Sequence, residues 1–284
     1  MITLKNEILT VIISEYGAEL QSVKSENKEF LWQGNPDVWS GRAPILFPIC
    51  GELKNNTYTV DGKSFELPRH GFARKSEFTA EQINQKEAVF TLFSNEETKK
   101  TYPFDFVLKI KYTLCDNAIE ITNTIENKSN GMMYFSIGSH EGYDCPEGVG
   151  AYKVVFEKPE VLDAYPLVNN LLAKEPVRIL DGKTELPLSK EMFANDALVF
   201  KKVNSRKVSM QALDSSRTVT VEFPDCDFLL LWTKPSGEYL CIEPWCGVAD
   251  SVDSDGVLAH KEGILCLETG QKKEIFHRIS FSEK

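Results

Sequence analysis

The stretch FDFVLKIKYTLCDNAIEITNTIE, residues 104–126, decides the fold class. Phe104, Phe106, Leu108, Ile110, Tyr112 and Leu114 alternate with Asp105, Lys109, Lys111 and Thr113. Successive side chains of a strand point to opposite faces, so this segment has one face for a core and one for water. Asp116-Asn117 then reads as a turn. Ile119, Ile121 and Ile125 follow, alternating with Glu120, Thr122, Thr124 and Glu126. The two halves predict an antiparallel hairpin.

The same reading extends outward along the chain. Thr57–Val60 and Lys63–Leu67 flank Asp61-Gly62, a pair whose tolerance of positive φ suits a two-residue hairpin turn. Val219, Val221 and Phe223 alternate with Thr218, Thr220 and Glu222 after the turn Asp214-Ser215-Ser216. Phe228 to Trp232 is an unbroken apolar run, the pattern of a strand covered on both faces. Tyr239 to Ile242 reads as its neighbour across Pro235-Ser236-Gly237. Helical periodicity is weak everywhere, and the best candidate is a turn or two over Ser189 to Asn195 with Ser189 as cap. Strands with turn signals every 8–12 residues or so predict an all-β protein, a large antiparallel β-sandwich or barrel with only short helices. No linker breaks the 284 residues, so residues 1–284 are expected to form one domain.

Composition narrows the partners. Lys plus Arg total 32 against 42 Asp plus Glu, a formal charge of −10. That balance disfavours phosphate backbones and anionic lipid, so neither nucleic acid nor membrane is expected as a partner. No apolar run has the roughly 18 residues of a membrane span, and Met1 to Leu9 lacks the apolar core of a signal peptide. The seven cysteines are odd in number, scattered and without a CxxC pair, as expected for a cytoplasmic protein with most thiols buried as small hydrophobes.

Three sites invite chemistry. His70 lies in Arg69-His70-Gly71-Phe72-Ala73-Arg74, where neighbouring guanidinium groups disfavour a protonated ring. A neutral imidazole both donates and accepts, which suits a hydroxyl-rich ligand; a capping histidine on a surface loop is the plainer reading. His140 lies in Gly138-Ser139-His140-Glu141-Gly142, where flanking glycines suggest a tight backbone that re-aims a side chain; a satisfied core histidine is the alternative. His260 and His277 read as structural. Glu243 ends the apolar run Leu240-Cys241-Ile242, where a carboxylate must be paired, solvated or functional. Pro244 is expected to stop the ladder directly after it. Trp245 offers a flat face on which the C–H side of a sugar can rest. A plain edge-strand glutamate is the competing reading.

Other chemistries lack their signatures. No HExxH and no Cys/His spacing points to zinc. GxxxxGK[ST], GxGxxG and GxSxG are absent. A glycosidase would need a second carboxylate, for which Asp196 and Glu268 are candidates.

At these residues the chain resembles the aldose 1-epimerase (galactose mutarotase) family, more narrowly the mutarotase-like proteins encoded with bacterial lactose-utilisation genes. The resemblance runs in order through Arg42-Ala43-Pro44-Ile45-Leu46-Phe47-Pro48, Arg69-His70-Gly71-Phe72-Ala73-Arg74, Tyr102-Pro103-Phe104 and Ile137-Gly138-Ser139-His140. It continues through Asp196-Ala197-Leu198, Ile242-Glu243-Pro244-Trp245-Cys246-Gly247 and Ala249-Asp250-Ser251. It implies a large antiparallel sandwich, with Glu243 as general base, His140 as general acid, and His70 and Asp196 holding the sugar. Arg42 and Arg74 match arginines that line the site in the branch acting on hexose phosphates. Glu141 and Gly142 stand where the family has Pro and an apolar residue. Glu141 either faces His140 or points away. Glu52 lies near where galactose mutarotases carry an arginine.

The implied reaction needs only proton transfers, so no cofactor and no metal are expected. A base takes the C1 hydroxyl proton, an acid protonates the ring oxygen O5, and reclosure on the other carbonyl face gives the other anomer. The expected partner is a monosaccharide, an aldohexose either free or phosphorylated, acted on by a monomer or homodimer. The rival readings are a hexose-6-phosphate mutarotase, a carbohydrate-binding protein without turnover, and a glycoside hydrolase.

Overall fold

A computed structural model describes residues 1–26 and 28–283. The deciding hairpin forms as Phe106–Cys115 paired with Ala118–Asn127. Cys115 faces Ala118 across the ladder, so Asp116 and Asn117 make the two-residue turn, with Asp116 at φ 52°. Phe106, Leu108, Ile110, Tyr112 and Leu114 are buried while Lys109 and Lys111 are exposed.

That hairpin belongs to a sheet of fifteen strands. Its path runs from Ile45–Leu46 through Ile137–Ser139, Tyr239–Cys246, Phe228–Trp232, Leu198–Phe200, Tyr152–Ala164, Lys207–Ala212, Arg217–Glu222, Lys272–Glu283, Ala118–Asn127, Phe106–Cys115 and Glu87–Phe93 to Thr79–Asn84. Glu141–Asp144 adds to Tyr239–Cys246, and Val177–Pro187 adds to Tyr152–Ala164. Every strand pair in the sheet is antiparallel. A second sheet of four strands spans the first 29 residues. Its buried side chains, among them Leu4, Val11 and Val23, share one apolar core with Phe90, Ile110 and Tyr112 of the large sheet. The Tyr112 hydroxyl donates to the Ala18 carbonyl at 2.7 Å, tying the two sheets together. The expected fold class therefore holds.

Three local expectations are corrected. Ser189 does precede a short helix, but this is a 3₁₀ turn over Lys190–Phe193, and the Ser189 side chain makes no capping bond. A helix that the apolar pattern did not reveal spans Glu96–Thr101, where Asn95 and Thr98 form a reciprocal cap that stabilises six residues with no buried face. Pro244 does not end its strand, because Tyr239–Cys246 continues through it. On one side the strand pairs with Phe228–Trp232 without a break. On the other side it pairs with Glu141–Asp144 up to Ile242 and with Ile137–Ser139 from Trp245 onward. The proline's missing N–H thus falls where the partner itself is interrupted. The residue in that interruption is His140.

Candidate active site

The strand break builds the site. His140 sits between Ile137–Ser139 and Glu141–Asp144, opposite Glu243 and Pro244, and its side chain is free of the ladder. Its Nε2 lies 3.5 Å from Glu243 Oε2. Alternation along Tyr239–Cys246 sends Leu240 and Ile242 into the main core and Tyr239, Cys241, Glu243 and Trp245 to the other face. The expected tight backbone at the flanking glycines has a physical cause. A Cβ on Gly138 would meet the Trp245 ring at 2.5 Å, and one on Gly142 would meet the Trp39 ring at 2.8 Å. Trp39 stacks on the His140 imidazole and Trp232 meets it edge-on, so the ring is held on two sides.

His140, Glu243, Trp245, His70 and Asp196 line one cavity. His70 and Asp196 both adopt left-handed backbone, φ 67° and 83°. Such conformations cost non-glycine residues about 1–3 kcal/mol and gather at functional sites. The His70 ring is oriented by Gly51, whose N–H donates to Nδ1 at 3.1 Å. The Arg69 Nε–H approaches Nε2, also at 3.1 Å. A neutral imidazole accepts at one nitrogen and donates at the other, so the tautomer sets which of the two contacts is a hydrogen bond.

Burial governs the protonation of these groups. It holds His70 well below the usual imidazole range, with the neighbouring His140, Arg69 and Arg74 adding to the effect. The arginines foreseen from sequence thus act in the expected direction, but desolvation is the larger cause. Burial also pulls His140 down to about 3. It pushes Glu243 well above the usual carboxylate range, an effect that Arg69 opposes and that Glu141 and Asp196 reinforce. Burial therefore disfavours the charged form of both members.

Arg42 and Arg74 do not line the cavity. The Arg42 guanidinium donates to the Gln21 carbonyl and side chain at 2.8 and 3.1 Å. Arg74 donates to the Arg69 carbonyl at 2.9 Å and so stands behind the wall. The arginine in the cavity is Arg69, which also bonds Asn170 at 3.3 Å. Its position next to His70 was the available signal; the left-handed turn at His70 decides which guanidinium points inward. Trp39 and Trp232 were likewise unmarked in sequence. Glu52 lines the cavity. Glu268 is exposed and lies outside it.

The remaining histidines are structural. Strand alternation turns Glu141 away from His140 into the core, where its Oε1 meets His277 Nε2 at 3.1 Å. His260 is exposed and bonds Asp255. Five of the seven cysteines are buried, as expected, with Cys115 half-buried and Cys266 exposed.

Comparison with known proteins places the chain in a family. The family model described as aldose 1-epimerase matches residues 1–273. The chain belongs to the aldose 1-epimerase family, whose members are isomerases of sugars. It is 34% identical to the chromosomal LacX protein of Lactococcus lactis subsp. lactis, over 95% of this chain and 97% of that protein. A galactose mutarotase related enzyme from Lactobacillus acidophilus superposes with a TM-score of 0.95 at 35% identity, covering 99% of this chain and 97% of that one. A putative glucose-6-phosphate 1-epimerase of Escherichia coli (strain K12) is 29% identical over 43% of each chain. No helix among the described residues is long and apolar enough to cross a membrane.

Proposed function

We propose that the chain is a mutarotase of unphosphorylated aldohexoses in which Glu243 and His140 move one proton between O1 and O5 of the sugar. The observation that carries this is the Glu243–His140 contact on the cavity wall, 3.5 Å long, with Glu243 Oε2 left without a hydrogen-bond partner. A pyranose edge entering there offers O1 to one group and O5 to the other. Hydroxyls that donate to Glu243 stabilise its carboxylate and shift the shared proton to His140. Glu243 then removes the O1 proton while His140 protonates O5, and the C1–O5 bond opens. The pair is now neutral on both members, the form that burial favours in the free cavity. After rotation about C1–C2 the same transfers run backwards to the other anomer. His70 and Arg69 hold a ring hydroxyl from one side, Asp196 holds another, and Trp245 lies under the C–H face. No step calls for a cofactor, and the reducing cytoplasm suits a chain with five buried thiols.

The cavity's charges favour a neutral sugar. Glu52 and Asp196 line it with a single guanidinium, Arg69, beside a Glu243 whose neutral form burial favours, while Arg42 and Arg74 are engaged elsewhere. A phosphate dianion would meet more repulsion than attraction. The hexose-phosphate reading keeps the support of the partial relative from Escherichia coli and of Arg69. Polarimetry on fresh α-galactose, α-glucose and glucose 6-phosphate separates the two. The free sugars are expected to equilibrate faster, and Glu243→Gln is expected to slow them by about 10²–10⁴-fold. A faster rate on the phosphorylated sugar would reverse the substrate assignment. Binding of free sugar without a rate above the buffer background would make the chain a binding protein, and an undiminished rate in Glu243→Gln would remove the carboxylate from the reaction.

A further inference from the structure

The proton shuttle leaves one side chain on the site face of Tyr239–Cys246 without a task. Cys241 is fully buried, two residues along the strand from Glu243, in an aromatic nest that includes Trp32 and Tyr239. Ligand atoms of His140, Cys241 and Glu243 all lie within 4.8 Å of one another. The 3.5 Å between His140 Nε2 and Glu243 Oε2 exceeds a good hydrogen bond, and that oxygen has no other partner. It does match the edge of a tetrahedral metal site. Two bonds of about 2.1 Å at the tetrahedral angle place their donor atoms about 3.4 Å apart.

The donor set identifies the ion by chemistry. One thiolate, one imidazole and one carboxylate are the ligands of zinc, whereas calcium and magnesium want six or more oxygens. Thiolate and carboxylate together cancel a double positive charge, so an occupied site would be neutral, as a dry cavity requires. Three protein ligands leave a fourth position for water or a hydroxyl, and Cys241 itself lies outside the cavity lining.

We propose that His140, Cys241 and Glu243 form a zinc-binding site whose occupation blocks the proton shuttle. On ligation the Cys241 thiol and the Glu243 carboxyl each give their proton to solvent, and sulfur, carboxylate oxygen and imidazole nitrogen each give a lone pair to the ion. The zinc then engages the two groups that would otherwise reach O1 and O5, so it competes with sugar. Sequence spacing cannot announce such a site, because His140 comes from a different strand region than the other two.

Cobalt(II) added to the full chain is the direct probe, since a cobalt–thiolate bond gives a near-ultraviolet charge-transfer band. The band is expected in the unaltered protein, absent in Cys241→Ser, retained in Cys226→Ser, and abolished when zinc is added. Zinc-edge X-ray absorption on the unaltered protein needs no variant and is expected to show one sulfur at about 2.3 Å with lighter donors at about 2.0–2.1 Å. Zinc is also expected to inhibit mutarotation competitively. Cys241→Ser should keep the uninhibited rate and weaken the inhibition by at least about tenfold, the loss that even an outer partner of a metal can cause. No band, a band that survives in Cys241→Ser, or a zinc shell without sulfur would overturn the site. The inhibition arm rests on the mutarotase reading and the spectroscopic arms do not. A cobalt band in a chain that turns over no sugar would uphold the site and sink that reading.

Discussion

Two buried carboxylate–imidazole pairs flank one strand break, and they have opposite fates. His140 and Glu141 are adjacent in sequence, and strand alternation turns them to opposite faces. His140 meets Glu243 at 3.5 Å on the wall of the cavity. Glu141 meets His277 at 3.1 Å within the core, both side chains at most 3% exposed. The core pair makes one hydrogen bond, with Glu141 Oε2 left unpartnered, and spans two strands; the cavity pair is 3.5 Å apart and faces the cavity. The comparison teaches that residue type does not make a site. What sets Glu243 and His140 apart is the cavity beside them.

Breaking the core pair separates stability from chemistry most sharply. His277→Ala leaves the Glu141 carboxylate buried without its partner, and is expected to cost about 3–5 kcal/mol in urea unfolding. The rate per folded molecule should stay near that of the unaltered chain. Replacing both members with apolar residues of similar volume should recover most of the loss. If His277→Ala folds normally but loses turnover, the assignment of the two pairs is reversed.

The walls of the cavity differ in the same way. Arg69→Ala removes charge-assisted bonding to a sugar hydroxyl, worth about 1.5–3 kcal/mol, and should raise KM by roughly ten- to a hundredfold. Arg42→Ala should leave KM unchanged, because that guanidinium serves Gln21. Steady-state kinetics on the free sugar tests both, and a large KM effect from Arg42 alone would restore the wall inferred from sequence.

The smallest effect is in the pH dependence of stability. Unfolded Glu and His titrate near 4.3 and 6.5. His140, lowered to about 3 by burial, contributes stability above about 6.5 that is lost as pH falls towards 3. Glu243, raised by burial, contributes stability below about 4.3 that is lost as pH rises through its folded value. Glu243→Gln removes the second contribution alone, so thermal melts above about pH 4.3 should drop more steeply with rising pH for the unaltered protein than for the variant. Parallel slopes would place the Glu243 carboxyl in the ordinary range.

The strands were legible because one face of each is wet. Residues 104–126 show alternation that no helix could use, and the hairpin closed in the register that its turn implies. The neighbours of Phe228–Trp232 were only half legible. Its apolar run announces burial on both faces, but pairing with Leu198–Phe200 is a distant event that no local pattern encodes. Pro244 misled for the same reason, since whether a missing N–H matters depends on the strand opposite. In the site, Glu243, His140, His70 and Trp245 stood out because a polar or aromatic group sat beside a glycine, a proline or the end of an apolar run. The choice of Arg69 over Arg42 and Arg74 was hidden, because it turns on a left-handed backbone at His70. Cys241 was within reach, since it shares the alternate positions of Glu243 and Trp245.

The central claim is that Glu243 and His140 work as one proton-transfer unit. Polarimetric rates of Glu243→Gln, His140→Asn and the double variant test it most directly. If the two share one proton path, the double variant should be about as slow as the slower single variant, because the first loss already disables the path. Losses that multiply in the double variant would show two independent contributions and contradict it.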